Sequence, residues 1–177
     1  MKLIVLDRDG VINRESREFV KSADEWLPLP GSIEAIATLS QAGWRIVVAT
    51  NQSGLARGLF AMGALNAMHA KMHRAVNHAG GRIDAVFYCA DGPDADSRFR
   101  KPAPGMLTDI AERFNVAMAD VPSVGDSVRD LEAASSAGAQ PVLVLTGNGA
   151  RTKSAGNLPP GTRVFADLAA LAHAYVT

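Results

Sequence analysis

The sequence predicts an α/β fold, a doubly wound parallel sheet with helices on both faces, and three observations carry that prediction. Short apolar runs rich in Val and Ile alternate with longer stretches whose apolar residues recur at helical spacing. The runs are nearly continuous rather than alternating, so both faces of each strand need cover. Glycines close the helical stretches just before the next run begins, as crossover connections require.

In chain order, Lys2 to Leu6 is the first strand, too short for the apolar core of a signal peptide. A helix carries Ile33, Ile36, Ala37 and Ser40 and stops at Gly43. Trp44 to Ala49 is the second strand, and Leu65, Met68, Met72, Val76 and Ala79 mark a helix ended by Gly80 and Gly81. Ile83 to Cys89 is the third strand, followed by a helix through Met106, Leu107, Ile110, Ala111 and Phe114. Val121 to Val124 is a weaker strand, Pro141 to Leu145 another, and Leu168, Leu171, Ala172 and Tyr175 set a last helix. No repeat or low-complexity tract interrupts the pattern. With 177 residues, 47% of them hydrophobic, the chain is expected to form one domain over 1–177.

Charge excludes some functions. Lysines plus arginines equal aspartates plus glutamates, 18 of each, so no long-range field favours nucleic acid or an anionic membrane. No run approaches the roughly 20 apolar residues of a membrane span. The single cysteine, Cys89, cannot form an internal disulfide and reads as a buried thiol in a cytoplasmic protein. Oligomeric state is not encoded in any feature, and a monomer is the default.

In such sheets ligands bind beyond the carboxyl ends of the strands, where strand order reverses. The residues at those ends are Asp7 and Asp9; "TNQSG", Thr50 to Gly54; "RKPAPGM", Arg100 to Met106; and "GDSVRD", Gly125 to Asp130. Together they are equipment for moving a phosphoryl group through a carboxylate nucleophile. A magnesium ion on Asp7, the Asp9 carbonyl and Asp126 would lower the repulsion between an attacking anion and a phosphate. Asp7 would attack phosphorus, and Asp9 would protonate the leaving alcohol and later activate water. Thr50 would bind phosphoryl oxygens and Lys101 would offset charge, with Asn51, Gln52 and Ser53 lining the substrate. Asp130 would hold the metal site or Lys101 from behind. The alternative for Asp126 is a helix N-cap.

Asp7-Arg8-Asp9-Gly10, Thr50, Lys101 and Gly125-Asp126 with Asp130 resemble the four motifs of the haloacid dehalogenase superfamily of phosphatases. "DRDGVIN", "PG" at Pro30-Gly31, "TNQSGLARG", "YC", "RKPAPGM" and "VGD" narrow the resemblance to the heptose bisphosphate 7-phosphatase branch, with histidinol-phosphatases as near relatives. It implies a Rossmann-like fold, Mg²⁺ and a small phosphorylated sugar substrate. Many members hold zinc in the loop before the lysine, but "CADGPDADSRFRK" keeps only Cys89 of those ligands, so no structural zinc is expected. Ser127 stands where relatives often carry a substrate-contacting lysine, and "ESRE", Glu15 to Glu18, also departs from the family. The stretch between Asp9 and Gly31 corresponds to the family's hairpin flap, and the chain has no room for a large cap domain.

A bisphosphate carries more charge than Mg²⁺ and Lys101 balance, so Arg100, with Arg98 second, is expected to clamp the phosphate that is kept. His69 and His73 have zinc-ligand spacing but read as half-exposed helix surface, and "TGNG", Thr146 to Gly149, reads as a plain loop. A phosphoacceptor receiver domain uses a similar acidic cluster, but its phosphorylated Asp ends the third strand, where Cys89 stands.

Overall fold

Six parallel strands, in the order β3-β2-β1-β4-β5-β6, form the sheet of the computed structural model, which describes residues 1–177. Along the chain these are β1 (Lys2–Leu6), α1 (Ser32–Gln41), β2 (Trp44–Asn51), α2 (Met62–His78), β3 (Ala85–Cys89) and α3 (Gly105–Phe114). There follow β4 (Pro122–Gly125), α4 (Val128–Ser136), β5 (Gln140–Val144), α5 (Gly149–Ala155), β6 (Arg163–Phe165) and α6 (Leu168–Val176). The order reverses between β1 and β4, where Leu6 lies opposite Val124 and the Asp7 amide donates to the Val124 carbonyl at 2.9 Å. Asp7 and Asp126 therefore leave the sheet side by side.

Period-two alternation divides the core. Ile4 and Leu6 of β1, with Ile46 and Val48 of β2, meet α1, α2 and α6 on one face. Leu3, Val5, Val47 and Ala49 meet α3 and α4 on the other. Ile36, Leu65, Met68, Met72 and Leu171 are all 0% exposed, each worth roughly 1.5–3 kcal/mol of burial.

Several predicted bounds move. β3 starts at Ala85 rather than Ile83 and is not covered on both faces: as an edge strand it leaves Tyr88 42% exposed. β2 runs on to Asn51, so Thr50 and Asn51 belong to the strand. β6 has only three residues, mostly exposed, and α5 ("GARTKSA") shows no apolar period, which is why neither was readable beforehand. Residues between Asp9 and Gly31 form turns closed by a single antiparallel bridge between Asn13 and Pro28, in place of a regular two-stranded hairpin. Fully buried Trp26 anchors them in the core, and Lys71 of α2 ties down the Ala23 and Trp26 carbonyls at 2.7 Å each.

Candidate active site

Lys101, buried in the loop after β3, joins the strand ends. Its Nζ donates to Asp7 Oδ1 (3.0 Å), the Ala49 carbonyl (2.9 Å) and Asp130 Oδ1 (2.7 Å), which uses all three ammonium protons. Burial alone would lower its pKa, but Asp130 and Asp7 outweigh burial and hold it above the ordinary lysine value. Asn51 fixes the lysine from β2: its amide oxygen accepts from the Lys101 N–H and its amide nitrogen donates to the Lys101 carbonyl, both at 3.0 Å. Asn51 thus positions Lys101 through its oxygen and one amide N–H, while its other N–H stays uncommitted and the residue lines the pocket.

Asp130 lies in the first turn of α4. Its Oδ2 accepts from the Asp126 N–H (3.2 Å), the Ser127 N–H (3.1 Å) and Ser127 Oγ (2.8 Å), completing a capping box. Ser127, not Asp126, is the N-cap, which leaves the Asp126 carboxylate free for other work. Burial pushes Asp130 up, but Lys101 and the bonds from Lys101 and Ser127 prevail and lower its pKa. With both oxygens occupied, Asp130 is an acceptor behind the site.

One carboxylate oxygen from each of Asp7, Asp126 and Asp130 lies within 4.8 Å of the others. Three carboxylates against one ammonium leave two negative charges uncompensated in a largely buried place. Burial, then the charges of Asp130 and Asp9, raise Asp7 to about 7 despite Lys101; burial, then Asp7 and Asp130, raise Asp126 to about 8. A divalent cation fits that deficit, and Asp7 and Asp126 keep oxygens to offer it. The Asp9 carbonyl, the third expected ligand, accepts no hydrogen bond within the chain.

The Asp9 side chain turns elsewhere. Its Oδ1 accepts from Arg8 Nη2 (2.9 Å), Arg8 Nε (3.1 Å) and Asn13 Nδ2 (2.8 Å), and its Oδ2 from Gln52 Nε2 (3.0 Å). Gln52 also donates to Thr50 Oγ1 at 3.0 Å, so this buried amide orders two candidate groups from within the pocket lining. Thr50 and Ser53 line the same open pocket, of about 330 Å³, as Asp7, Asp9, Lys101 and Asp126.

The two arginines of the loop part company. Arg100 lines the pocket and donates to the Asp91 carbonyl at 3.1 Å. Arg98 stacks over the Phe99 ring at 4.6 Å and faces a different cleft, so it is not a clamp for the pocket: a two-residue step turned it away. Arg57 and Arg129 line the pocket instead. Burial first, then Arg129 and Arg57, lower the Arg100 pKa, the mark of cations gathered at one mouth. The loop's shape comes from hydrogen bonds. Ser97 Oγ accepts from the Phe99 and Arg100 amides at 3.2 Å each and lies 3.7 Å from Cys89 Sγ.

The "TGNG" loop is not plain: the Asn148 N–H donates to Asp126 Oδ2 at 2.8 Å and Thr146 Oγ1 to the Gly10 carbonyl at 2.7 Å. His69 is half-exposed on α2 as expected, but it also meets Arg8 Nη1 at 3.2 Å, and burial, with Arg8 second, lowers its pKa to about 4. A glycine turn directly after a strand was the one available signal for the first; nothing in spacing reveals the second.

The chain has relatives among known proteins. The HAD-hydrolase-like family profile matches residues 98–171. The D-glycero-beta-D-manno-heptose-1,7-bisphosphate 7-phosphatase of Bordetella bronchiseptica is 62% identical over 172 residues, covering 97% of this chain and 96% of its own. The Pseudomonas putida protein of that name is 53% identical, covering 97% and 98%. A crystal structure of D,D-heptose 1,7-bisphosphate phosphatase from B. bronchiseptica, complexed with magnesium and phosphate, superposes with a TM-score of 0.98 at 60% identity, covering 99% of this chain and 98% of the other. The Burkholderia thailandensis enzyme gives 0.81 at 55%, covering 100% and 99%. This chain belongs to the D-glycero-beta-D-manno-heptose-1,7-bisphosphate 7-phosphatase family of the haloacid dehalogenase superfamily.

Proposed function

We propose that the protein hydrolyses the carbon-7 phosphate of D-glycero-β-D-manno-heptose 1,7-bisphosphate through an aspartyl-phosphate on Asp7. The observation that carries this is the buried array of Asp7, Lys101, Asp126 and Asp130 at the point where strand order reverses. Asp7, Asp126 and the Asp9 carbonyl would hold Mg²⁺, which when bound neutralises charge on the phosphate and keeps Asp7 ionised.

One carboxylate oxygen of Asp7, whose Oδ1 accepts from Lys101, bonds phosphorus as the ester P–O bond breaks. The leaving sugar oxygen takes a proton from Asp9. Water then gives a proton back to Asp9 as its oxygen attacks phosphorus, and inorganic phosphate departs from a restored Asp7 carboxylate. Lys101 balances charge through both steps, and Thr50 and Ser53 hydrogen-bond the phosphoryl oxygens. Arg100, with Arg57 and Arg129 beside it at the pocket mouth, binds the phosphate on carbon 1.

Residues 1–177 act as one domain without a large lid, and the lone buried thiol Cys89 suits the cytoplasm. No helix is long and apolar enough to cross a membrane. Phosphate release from a panel tests the reading: both anomers of the heptose bisphosphate, fructose 1,6-bisphosphate and histidinol phosphate, each with Mg²⁺. The β anomer should exceed every other member in kcat/KM by roughly tenfold or more, since a polar site rejects substrates that leave its groups unpaired. Equal constants across the panel would remove the substrate assignment and keep the chemistry.

A further inference from the structure

Arg8, between the two aspartates of the first loop, is 0% exposed. A buried guanidinium is costly unless its donors are met, and Arg8 meets them in two directions. Nε and Nη2 grip Asp9, while Nη1 lies 3.2 Å from His69 Nε2 on α2. A guanidinium can only donate, so Nε2 accepts and the ring carries its proton on Nδ1. His69 itself is outside the pocket lining.

The Asp9 end of this chain is asymmetric. Oδ1 takes three donors, whereas Oδ2 has Gln52 at 3.0 Å and only a longer contact to Arg8 Nη2 at 3.3 Å. Oδ2 is therefore the oxygen with room for a proton. We infer that His69 is a positioning residue for proton transfer: by accepting from Arg8 Nη1 it fixes the guanidinium plane, and through it the direction in which Asp9 Oδ2 faces the leaving oxygen. This rests on Asp9 acting as the proton donor. Without an acceptor at position 69, the Nη1 edge is left unpaired in a buried place, and the guanidinium rotates to find another partner, taking the carboxylate with it.

The experiment compares an alkyl and an aryl leaving group. A sugar alkoxide needs the proton of Asp9; p-nitrophenolate leaves without one. The quantity kcat/KM ends at leaving-group departure, so it isolates this step from the later attack of water. In the Mg²⁺-loaded enzyme, His69→Leu should lower kcat/KM for heptose bisphosphate about tenfold or more and that for p-nitrophenyl phosphate no more than about twofold. His69→Gln, whose amide oxygen replaces Nε2 as acceptor, should recover most of the loss. Equal losses on both substrates, no loss on either, or a Gln variant as impaired as Leu would overturn the role. Asp9→Asn separates this from the underlying reading: if it too spares the sugar phosphate, Asp9 is not the acid and the fault lies there.

Discussion

Arg100 and Arg98 are two residues apart and chemically identical, yet only Arg100 reaches the pocket. Residue type made both candidates; backbone direction chose between them. Arg100→Ala should raise KM for a bisphosphate roughly tenfold or more, the loss of a charge-assisted contact worth about 1.5–3 kcal/mol, and leave KM for p-nitrophenyl phosphate nearly unchanged. Arg98→Ala should change neither in a steady-state assay. Equal effects of Arg100→Ala on both substrates would deny it the second phosphate. Asp7, Asp9 and Asp126 were legible as candidates because they directly follow strands, and Lys101 and Asp130 because each lies on the segment leaving a strand with a residue type the chemistry needs. Arg8, His69, Arg57 and Arg129 were not, because their importance lies in which distant partner they meet.

At the level of elements, the site is assembled by the end of β2 and the loops after β1, β3, β4 and β5. Gly10 (φ +84°) and Gly147 (φ +56°) bring two of these loops so close that a Cβ on either would overlap Asp126. Gly138, after α4, shares the left-handed backbone (φ +77°) but faces open space. The pair separates backbone strain from crowding. Gly138→Ala should cost about 1 kcal/mol, seen as a lower Tm, and spare Mg²⁺ affinity. Gly147→Ala should cost about 1–3 kcal/mol more through crowding and weaken Mg²⁺ binding measured by titration calorimetry. Unaltered Mg²⁺ affinity in Gly147→Ala would show that this loop does not shape the metal carboxylate. Beyond the glycine turn itself, no pattern of residue types announces such a contact, since the bond to Asp126 comes from a backbone N–H. The parallel sheet itself was readable because burial on both faces leaves continuous apolar runs, most clearly in β1, β2 and β5. At the edges that signal fades, as the exposed Tyr88 of β3 and the three-residue β6 illustrate.

For the whole molecule, a net charge of zero hides a strong local imbalance. Asp7 at about 7 and Asp126 at about 8 retain protons in the folded metal-free protein that the unfolded chain releases near pH 4. His69, lowered to about 4, acts the other way below its unfolded value of 6.5, but two raised carboxylates outweigh one lowered imidazole, so the Tm of metal-free protein should fall as pH rises from 5 to about 8, most steeply above about 6.5. Mg²⁺ binds the ionised carboxylates, so the Tm gain on adding it should grow over the same range. A gain independent of pH would contradict the assignment of Asp7 and Asp126 as ligands. The account as a whole depends on a covalent bond between phosphorus and one carboxylate. Single-turnover reaction with heptose bisphosphate, acid quench and peptide mapping tests it most directly. Phosphate should be found on Asp7, and Asp7→Asn should carry none; label on another residue, or turnover by Asp7→Asn near that of the parent, would contradict it.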